Sequence, residues 1–492
     1  MIILVYILAA IYILALFFIT LYAILEFQLL YYYLKKYKKI RAYTPPTLTD
    51  WPMVTVQLPV FNEMYVVERL IDDICQLDYP REKLEIQVLD DSTDETREII
   101  RKKCEYYSAW GIDIKPIHRS NRTGYKAGAL KEGLVRAKGE FITIFDADFL
   151  PRPDFLKKCI PYFQDPKIGV VQTRWDHINE GYSLLTMLQA FQLNVHFTIE
   201  QSGRQSGDYF LQFNGTAGTW RKKAIEEAGG WHTDTLTEDL DLSLRAQLKG
   251  WEIYYLQEIG SPSELPAEMN GIKSQQARWM KGGAEVARKL IPVIWASKLD
   301  FWQKVHAIML LMGSSMFLVV LALAVTSVPL AFLLVRFGIP AKLFAFGLAG
   351  TLSILLVHYT ANVIIAWENR NPLVSFVRFI FLFPLFLTFS MGLSLHNSVA
   401  VIQGWRGKKS PFIRTPKFNI RNIRDRISNH KYLSQRLSWV TVFEGLLAAY
   451  FLYAFYYGIH IHQESFLIFH LALGLGFGGI FLFTLYHLSL KS

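Results

Sequence analysis

The sequence predicts an α/β domain with a mostly parallel sheet, placed between segments that cross a membrane. Three observations lead to this class. Apolar, β-rich runs alternate with amphipathic helical stretches between residues 44 and 300. Long apolar stretches flank that region on both sides. Hydrophobic residues make up 52% of the 492 residues, which is high for a wholly soluble chain.

The first segment, residues 1–43, is predicted to be an uncleaved transmembrane helix. Residues 2–33 are apolar, run far longer than a signal-peptide core and contain no small-residue cleavage site. Basic residues follow at once: Lys35, Lys36, Lys38, Lys39 and Arg41. The positive-inside rule therefore places residues 44–300 in the cytoplasm and the amino terminus outside.

The domain at 44–300 reads as alternating strands and helices. Strands are predicted at 54–58, 84–89, 112–117, 141–145 and 169–173, with helices near 64–77, 93–107, 124–138 and 151–163. Such alternation favours a mostly parallel sheet with helices on both faces. Ligands of these sheets bind beyond the carboxyl ends of the strands, where several polar motifs fall.

The first two strands end in side chains suited to a nucleotide. Asn62 and Glu63 follow one strand, and Asp90 and Asp91 follow the next. Their oxygens can accept from a nucleobase N–H or a ribose hydroxyl, and the alternative is that residues 90–93 only cap the next helix. Lys126 lies in a glycine-containing helix start and can meet a phosphate; small residues there also serve packing.

Asp146 and Asp148 follow an apolar strand, two residues apart. Two carboxylates at such an exit repel one another without a cation. Mg²⁺ or Mn²⁺ takes one or two carboxylates together with substrate phosphate oxygens, so we expect a divalent metal here. An exposed acidic turn is the alternative.

Glu238 and Asp239 begin an apolar-periodic helix that Gly250 would end. Acidic residues are ordinary in a first helical turn, because the helix dipole favours them. A transferase also needs a base to take the proton of the acceptor hydroxyl, and a carboxylate can do this. Asp239 is the first candidate for the base and Glu238 is the second.

Gln275, Arg278 and Trp279 share one face of a predicted helix. The arginine can pair with a diphosphate, and the tryptophan offers a flat surface to a sugar ring. A polar helix face with one buried tryptophan is the alternative. Residues with a composition suited to an acceptor path also occur at Phe213, Asn214 and Gly215.

The third region, residues 301–492, holds further apolar stretches near 305–335, 343–366, 374–402, 440–457 and 465–488. The basic segment, residues 403–436, carries ten Lys or Arg against Asp425, which accounts for nearly all of the chain's net charge of +10. This segment should be cytoplasmic. Residues 374–402 are then predicted to be interfacial or re-entrant, which leaves five true spans.

The order and spacing of these motifs resemble the membrane-embedded processive β-glycosyltransferases of glycosyltransferase family 2. That group includes cellulose, hyaluronan and chitin synthases, and the likeness is greatest to plant cellulose-synthase-like mannan and glucan synthases. It covers residues 54–290 and is carried by the motifs at 88–93, 121–133, 145–149, 213–218 and 229–231.

The resemblance implies a domain of GT-A type with assigned site residues. They are Asp90 or Asp91 with Lys126 on the nucleotide, Asp146 and Asp148 on phosphates and metal, Asp239 as base, and Gln275, Arg278 and Trp279 around the acceptor terminus and diphosphate. It also implies a gating loop, Phe-x-Val-Thr-x-Lys. Residues 412–417 match it except at Arg414, and so place Thr415 and Lys417 over the nucleotide. Residues 280–283 read Met-Lys-Gly-Gly, where the plant branch has Ser-Cys-Gly-Pro.

The expected function is that of an inverting, metal-dependent hexosyltransferase. It would elongate a β-linked glucan or mannan from UDP-glucose or GDP-mannose at the cytoplasmic face of the plasma (inner) membrane and secrete the polymer. Transfer of one hexose to ceramide, diacylglycerol or a polyprenyl phosphate is the alternative, and a catalytically inactive scaffold or transporter is a third hypothesis. The expected partners are the nucleotide sugar, a growing glycan or lipid acceptor and membrane lipids, with no nucleic acid.

Overall fold

The computed structural model of the chain describes residues 2–337, 344–365, 371–420, 425, 431–432, 437–462 and 464–489. Within those residues, seven strands form one sheet in the order β3-β2-β1-β4-β6-β5-β7. The strands are β1 Val54–Val60, β2 Leu84–Asp90, β3 Asp113–His118, β4 Phe141–Ile144, β5 Ile168–His177, β6 Gly218–Arg221 and β7 Glu252–Ser263. Only β6 runs antiparallel to its neighbours, so the predicted mostly parallel α/β sheet is confirmed.

The helices of the described residues fall into a catalytic-domain set and a membrane set. They are α1 Ile2–Arg41, α2 Val67–Ile74, α3 Thr96–Ala109, α4 Tyr125–Arg136, α5 Phe155–Cys159, α6 Leu184–Val195, α7 Gln201–Ser206, α8 Lys222–Glu227, α9 Glu238–Leu248, α10 Met269–Ala296, α11 Phe301–Met312, α12 Met316–Phe337, α13 Gly347–Tyr359, α14 Pro372–Gly392, α15 Ser394–Trp405, α16 Trp439–His460 and α17 Leu467–Ser489. Two π-helical turns, His196–Glu200 and Thr360–Ile364, follow α6 and α13.

The hydrophobic pattern explains how these elements pack. β1 and β2 are buried along almost their whole length, as expected for parallel strands covered on both faces. α2 buries Val67, Leu70, Ile71 and Ile74, the i, i+3, i+4, i+7 stripe of a helix that lies against a sheet. The strand ends are thereby fixed at one edge of a rigid core.

Sequence patterns did not predict every element. The four-residue strand β6 and the long strand β7 were not among the predicted strands. The helix predicted at 151–163 is shorter, because α5 ends at Cys159 and continues as the 3₁₀ turn Ile160–Gln164. Pro161 lies at the start of that turn and has no N–H for a helical hydrogen bond.

Six helical segments of the described residues are long and apolar enough to cross a membrane: Tyr6–Arg41, Phe301–Phe337, Gly347–Ile364, Pro372–Gly392, Trp439–His460 and Glu464–Ser489. They support a multi-pass membrane protein. Residues 374–402 form most of α14 and α15. Length and composition do not separate Pro372–Gly392 from the other five segments, so its interfacial placement stays a prediction.

The end of α1 is anchored to the catalytic domain. The Tyr37 hydroxyl donates to Glu258 of β7 at 2.5 Å, and the Arg41 guanidinium lies 3.0 Å from the same carboxylate. The first membrane helix therefore continues directly into a contact with the sheet.

Candidate active site

One cavity at the carboxyl edge of the sheet brings together most of the predicted site residues. Its walls come from the ends of β1, β2 and β4, the starts of α4 and α9, the middle of α10 and the basic segment. The predicted residues on these walls are Glu63, Asp91, Lys126, Asp146, Asp148, Asn214, Gly215, Glu238, Asp239, Gln275, Arg278, Trp279, Thr415 and Lys417.

Asn62 and Phe213 lie behind the wall. Asn62 accepts the Thr93 backbone N–H at 2.9 Å, which ties together the loops that follow β1 and β2. Phe213 is fully buried in the core and meets Trp220 edge to face, with ring centroids 5.4 Å apart. Neither side chain lines the cavity, and their nucleotide and acceptor contacts stay predictions.

The structure separates the roles of Asp90 and Asp91. Asp90 faces away from the cavity, where it accepts the Ser92 N–H at 2.8 Å and lies 2.9 Å from His118 Nδ1. Asp91 is on the wall and forms a two-point ion pair with Arg119, with N–O distances of 2.7 and 2.5 Å. Of the pair, Asp91 is therefore the one that lines the cavity, and its contact with a nucleotide stays a prediction.

Residues 90–93 do not cap the next helix. α3 begins at Thr96, and the backbone N–H of Thr96 donates to Asp94 at 3.0 Å. Ser92 instead accepts the Asn62 N–H at 2.9 Å. The motif after β2 is therefore built to join two strand ends.

Lys126 is the central cation of the cavity. Its ammonium donates to Asp146 Oδ1 at 2.6 Å and to the Gly215 carbonyl at 2.9 Å, and lies 4.0 Å from Glu238. Burial alone would lower the pKa of Lys126, but Asp146, Glu238 and Asp239 together raise it above its ordinary value. Lys126 consequently keeps its positive charge in the cavity, and its contact with a phosphate stays a prediction.

Asp148 has a lysine of its own. The Lys417 ammonium donates to Asp148 Oδ2 at 2.7 Å and to the Glu264 carbonyl at 2.6 Å. The repulsion predicted for Asp146 and Asp148 is thus relieved by two lysines. Each lysine engages one carboxylate oxygen, and both carboxylates line the same cavity. Such hard oxygen donors fit Mg²⁺ or Mn²⁺ when substrate phosphates supply further ligands.

A different trio, His232, Asp234 and Asp241, is close enough to hold a metal ion. Arg245 and Lys289 already pair with the buried Asp241 carboxylate, at 2.7 and 2.9 Å. Two cations therefore balance the two acids, and the cluster joins α9 to α10 by ion pairs.

Glu238 and Asp239 lie side by side in the buried part of the cavity. Burial, together with repulsion from Asp239, raises the pKa of Glu238 to about 7. Burial also raises the pKa of Asp239, against the opposing charge of Lys126. Gly215 has φ +82°, and a Cβ there would lie 2.8 Å from Asp239 Oδ2, so only glycine leaves room beside this carboxylate.

α10 presents Gln275, Arg278 and Trp279 to the cavity. The helix approaches the loop before α9 closely, because a Cβ on Gly282 would lie 2.5 Å from Thr237 Cγ2. The Gly282 position in the variant 280–283 motif thus permits contact between the two helices that carry the candidate base and the acceptor residues.

Residues 412–417 cover the cavity. The Arg278 guanidinium lies 4.9 Å from the centre of the Phe412 ring, which also stacks on Tyr125 with centroids 5.8 Å apart. Arg414, the departure from the family's loop pattern, forms an ion pair with Glu63. Burial nevertheless raises the pKa of Glu63 to about 7.

Sequence reasoning missed Glu264. This buried carboxylate follows β7 and accepts the backbone N–H groups of Phe418 and Asn419 at 2.8 and 2.9 Å. Its signal was an acidic residue between Ser263 and Leu265 at the end of a strand. Four residues of the basic segment, Arg421, Arg424, Arg426 and Arg436, lie outside the described residues.

The mixed sheet, its carboxyl-edge cavity and the paired acidic motifs define a domain of GT-A type. Residues 52–282 match the family model described as "Glycosyltransferase like family 2". The match covers just under half of the chain, and it confirms the resemblance to glycosyltransferase family 2 that the motifs predicted.

Its relatives include plant enzymes. The chain is 46% identical over 266 residues to glucomannan 4-beta-mannosyltransferase 2 of Arabidopsis thaliana, covering 53% of this chain and 50% of that protein. It is 44% identical over 264 residues to glucomannan 4-beta-mannosyltransferase 1 of Oryza sativa subsp. japonica, covering 52% and 51%. The chain thus spans about half the length of these relatives.

Among solved structures, the chain is similar to the mannosyltransferase PcManGT from Pyrobaculum calidifontis in complex with GDP-Man and Mn²⁺. The TM-score is 0.49 and the identity is 20%, with 80% of this chain and 100% of that chain covered.

Proposed function

We propose that the protein is an inverting β-mannosyltransferase that elongates a β-linked mannan-type polysaccharide from GDP-mannose. The observation that carries the proposal is the buried Glu238–Asp239 pair beside Lys126, in a cavity closed by Arg278 and Lys417. The names of the plant relatives support a mannosyl donor over UDP-glucose.

In the proposed reaction the cations of the cavity bind the donor. Lys126, Arg278 and Lys417 line one space, where they can hold a diphosphate and stabilise the charge that builds on it as it leaves. Asp91 supplies acceptor oxygens for the nucleoside. Asp146 and Asp148 would hold Mg²⁺ or Mn²⁺, which would neutralise further diphosphate charge when bound.

Asp239 acts as general base in this scheme. The acceptor hydroxyl gives its proton to the Asp239 carboxylate while its oxygen bonds to the anomeric carbon, and the bond from that carbon to the diphosphate breaks with inversion. Trp279 and Gln275 border the same space and would orient the acceptor sugar. Burial raises the pKa of Asp239, which makes it a stronger base than an exposed aspartate.

The remaining parts of the proposal concern the membrane. The catalytic domain would be cytoplasmic, as the basic residues after the first span indicate. The apolar helices that follow would carry the polymer outward through the plasma (inner) membrane. Protease accessibility in sealed vesicles of known orientation measures which side the domain occupies.

The test is incorporation of radiolabelled GDP-mannose or UDP-glucose by purified protein in lipid nanodiscs with Mg²⁺ or Mn²⁺. We expect high-molecular-weight label from GDP-mannose that an endo-β-mannanase degrades and that Asp239→Asn abolishes. High-molecular-weight label from UDP-glucose alone would show that the product is a glucan and not a mannan. Label only in organic-soluble material would indicate a glycolipid synthase, and absence of transfer from both donors would favour the inactive scaffold.

A further inference from the structure

A buried ion pair joins the first turns of α10 to the membrane helix α16. The Lys273 ammonium donates to Glu444 Oε2 at 2.6 Å and to the Thr441 hydroxyl at 3.3 Å. The Lys273 and Glu444 side chains are 6% and 0% exposed. Removing two charges from water is costly, and an apolar pair of similar volume is often as stable or more stable. The reaction described above uses neither residue.

Helical geometry places this ion pair and the catalytic cavity on opposite faces of α10. An α-helix has about 3.6 residues per turn, so residues two, five and six positions after Lys273 project about 140–240° away from it. Those residues are Gln275, Arg278 and Trp279, which line the cavity. A rotation of α10 about its axis would therefore move the ion pair and the cavity residues together.

The helix α15 holds the same part of α10 through backbone contacts. His396 Nε2 lies 3.0 Å from the Lys273 carbonyl oxygen. Further along, a Cβ on Gly404 would lie 2.5 Å from the Lys281 carbonyl oxygen, so the two helices approach closely there. Since α15 ends and α16 begins at the two ends of the basic segment, residues 403–436, both ends of that segment are attached to α10.

The contact between Lys273 and Glu444 is directed. Glu444 Oε2 accepts the ammonium, whereas Glu444 Oε1 has no hydrogen-bond partner among the described residues. A hydrogen bond between charged groups specifies a direction as well as a distance. Two apolar side chains could fill the same space but would leave α10 free to turn. The directed contact therefore gives orientation, which apolar packing alone does not.

We propose that Lys273 and Glu444 are positioning residues, which fix the rotation of α10 about its axis and so set where its cavity face meets the acceptor. Their effect on the reaction passes through Gln275, Arg278 and Trp279, since the pair lies on the other side of the helix. The proposal deepens the proposed function and rests on it for the identity of the acceptor.

Two variants of the full chain in lipid nanodiscs separate positioning from stability. Lys273→Met leaves the buried Glu444 carboxylate without its cation, so we expect lower thermal stability and a KM for β-1,4-mannohexaose that is about tenfold higher, with GDP-mannose as donor. Lys273→Met combined with Glu444→Leu removes both charges, so thermal stability should return to the wild-type level while the KM stays high. The donor affinity should change less than the KM for the acceptor, because Lys126 and Lys417 lie outside α10.

The matched control is Lys103→Met. It breaks a 2.9 Å ion pair with Asp72 that joins α3 to α2, far from α10 in the sequence, and should leave the KM for mannohexaose unchanged. A rise in the KM of the control equal to that of Lys273→Met would show that loss of any interhelical ion pair has this effect, and would overturn the proposal.

Amide hydrogen exchange of residues 269–282, measured by mass spectrometry without substrates, gives a readout that needs no sugar transfer. We expect exchange about tenfold faster in the double variant than in the wild type, because the contact that fixes α10 is absent. A wild-type KM or wild-type exchange in the double variant would show that the pair only stabilises the fold, and would overturn the proposal. A wild-type protein that transfers no mannose would instead contradict the proposed function, and the exchange rates would still decide the role of the pair.

Discussion

Two groups of carboxylates face the catalytic cavity, and they differ in their counter-ions. The first group, called the floor, consists of Asp91, Asp146 and Asp148 at the carboxyl edge of the sheet. Each of these acids has a cation beside it: Asp91 has Arg119, Asp146 has Lys126 and Asp148 has Lys417. Glu238 and Asp239, at the start of α9, are buried next to each other and have Lys126 only at the edge of ion-pair distance from Glu238.

This difference assigns different chemistry to the two groups. Carboxylates that converge on one edge with cations beside them are suited to binding metal and phosphate, because hard oxygen donors and positive charge are then close together. A buried pair with raised pKa values is suited to accept a proton near neutral pH. The floor is therefore the proposed donor site and the α9 pair the proposed proton acceptor.

The largest expected effect comes from Asp239→Asn. The amide keeps the shape but cannot take a proton, so we expect the transfer rate to fall by ~10²–10⁴, the usual contribution of a general base. Donor affinity, measured by equilibrium binding of the nucleotide sugar, should stay nearly constant. A fall in donor affinity as large as the fall in rate would show that Asp239 binds the donor, as Asp91, Asp146 and Asp148 are proposed to do.

Asp146→Asn should have the opposite effect to Asp239→Asn, because it should change the affinity for the donor. With Mn²⁺ present we expect donor affinity to fall about 10–100-fold, because a charged ligand worth roughly 1.5–3 kcal/mol is lost. Without metal the same variant should bind the donor as well as the wild type or better, since Lys126 loses its competing carboxylate. Calorimetric titrations with and without Mn²⁺ measure both arms. Equal loss in both would remove the metal role of Asp146.

The sequence predicts only part of the difference between the two groups of carboxylates. Strand ends could be placed from apolar runs, so the convergence of Asp91, Asp146 and Asp148 on one edge was predictable. Lys417 lies 269 residues after Asp148, and no local pattern predicts that these two side chains meet. The neutralised floor is a product of tertiary packing.

Short and irregular elements could not be predicted from the sequence for a related reason. β6 has four residues and derives its strand geometry from pairing with β4 and β5 on either side, rather than from its own alternation. Asp90 was indistinguishable from Asp91, since strand register decides which of two adjacent side chains faces the ligand. Phe213 showed the same ambiguity between a wall and a core position.

The covering segment offers a smaller effect. Lys417→Met removes the contacts with Asp148 and the Glu264 carbonyl, so we expect the KM for the donor to rise about tenfold, in line with a charged hydrogen bond. The exposed Lys409 in the same segment is the matched control, and Lys409→Met should change the KM by less than twofold. Proteolysis at 410–420 should be faster in Lys417→Met than in the control. Equal protection would show that Lys417 does not hold the segment down.

The smallest effect is a shift in pH dependence. Because the pKa of Glu238 is raised to about 7, we expect the transfer rate to rise as pH increases through that value. Glu238→Gln removes this group and should move the acid limb to lower pH, giving about threefold more relative activity at pH 6.

The stability of the folded protein should change with pH in the opposite direction to the transfer rate. The raised carboxyl pKa adds stability that is fully present below the ordinary value of 4.5 and is lost as pH rises through about 7. Wild type should therefore lose stability relative to Glu238→Gln across that window in thermal unfolding. Rate profiles that coincide for both proteins would show that the acid limb belongs to a group other than Glu238.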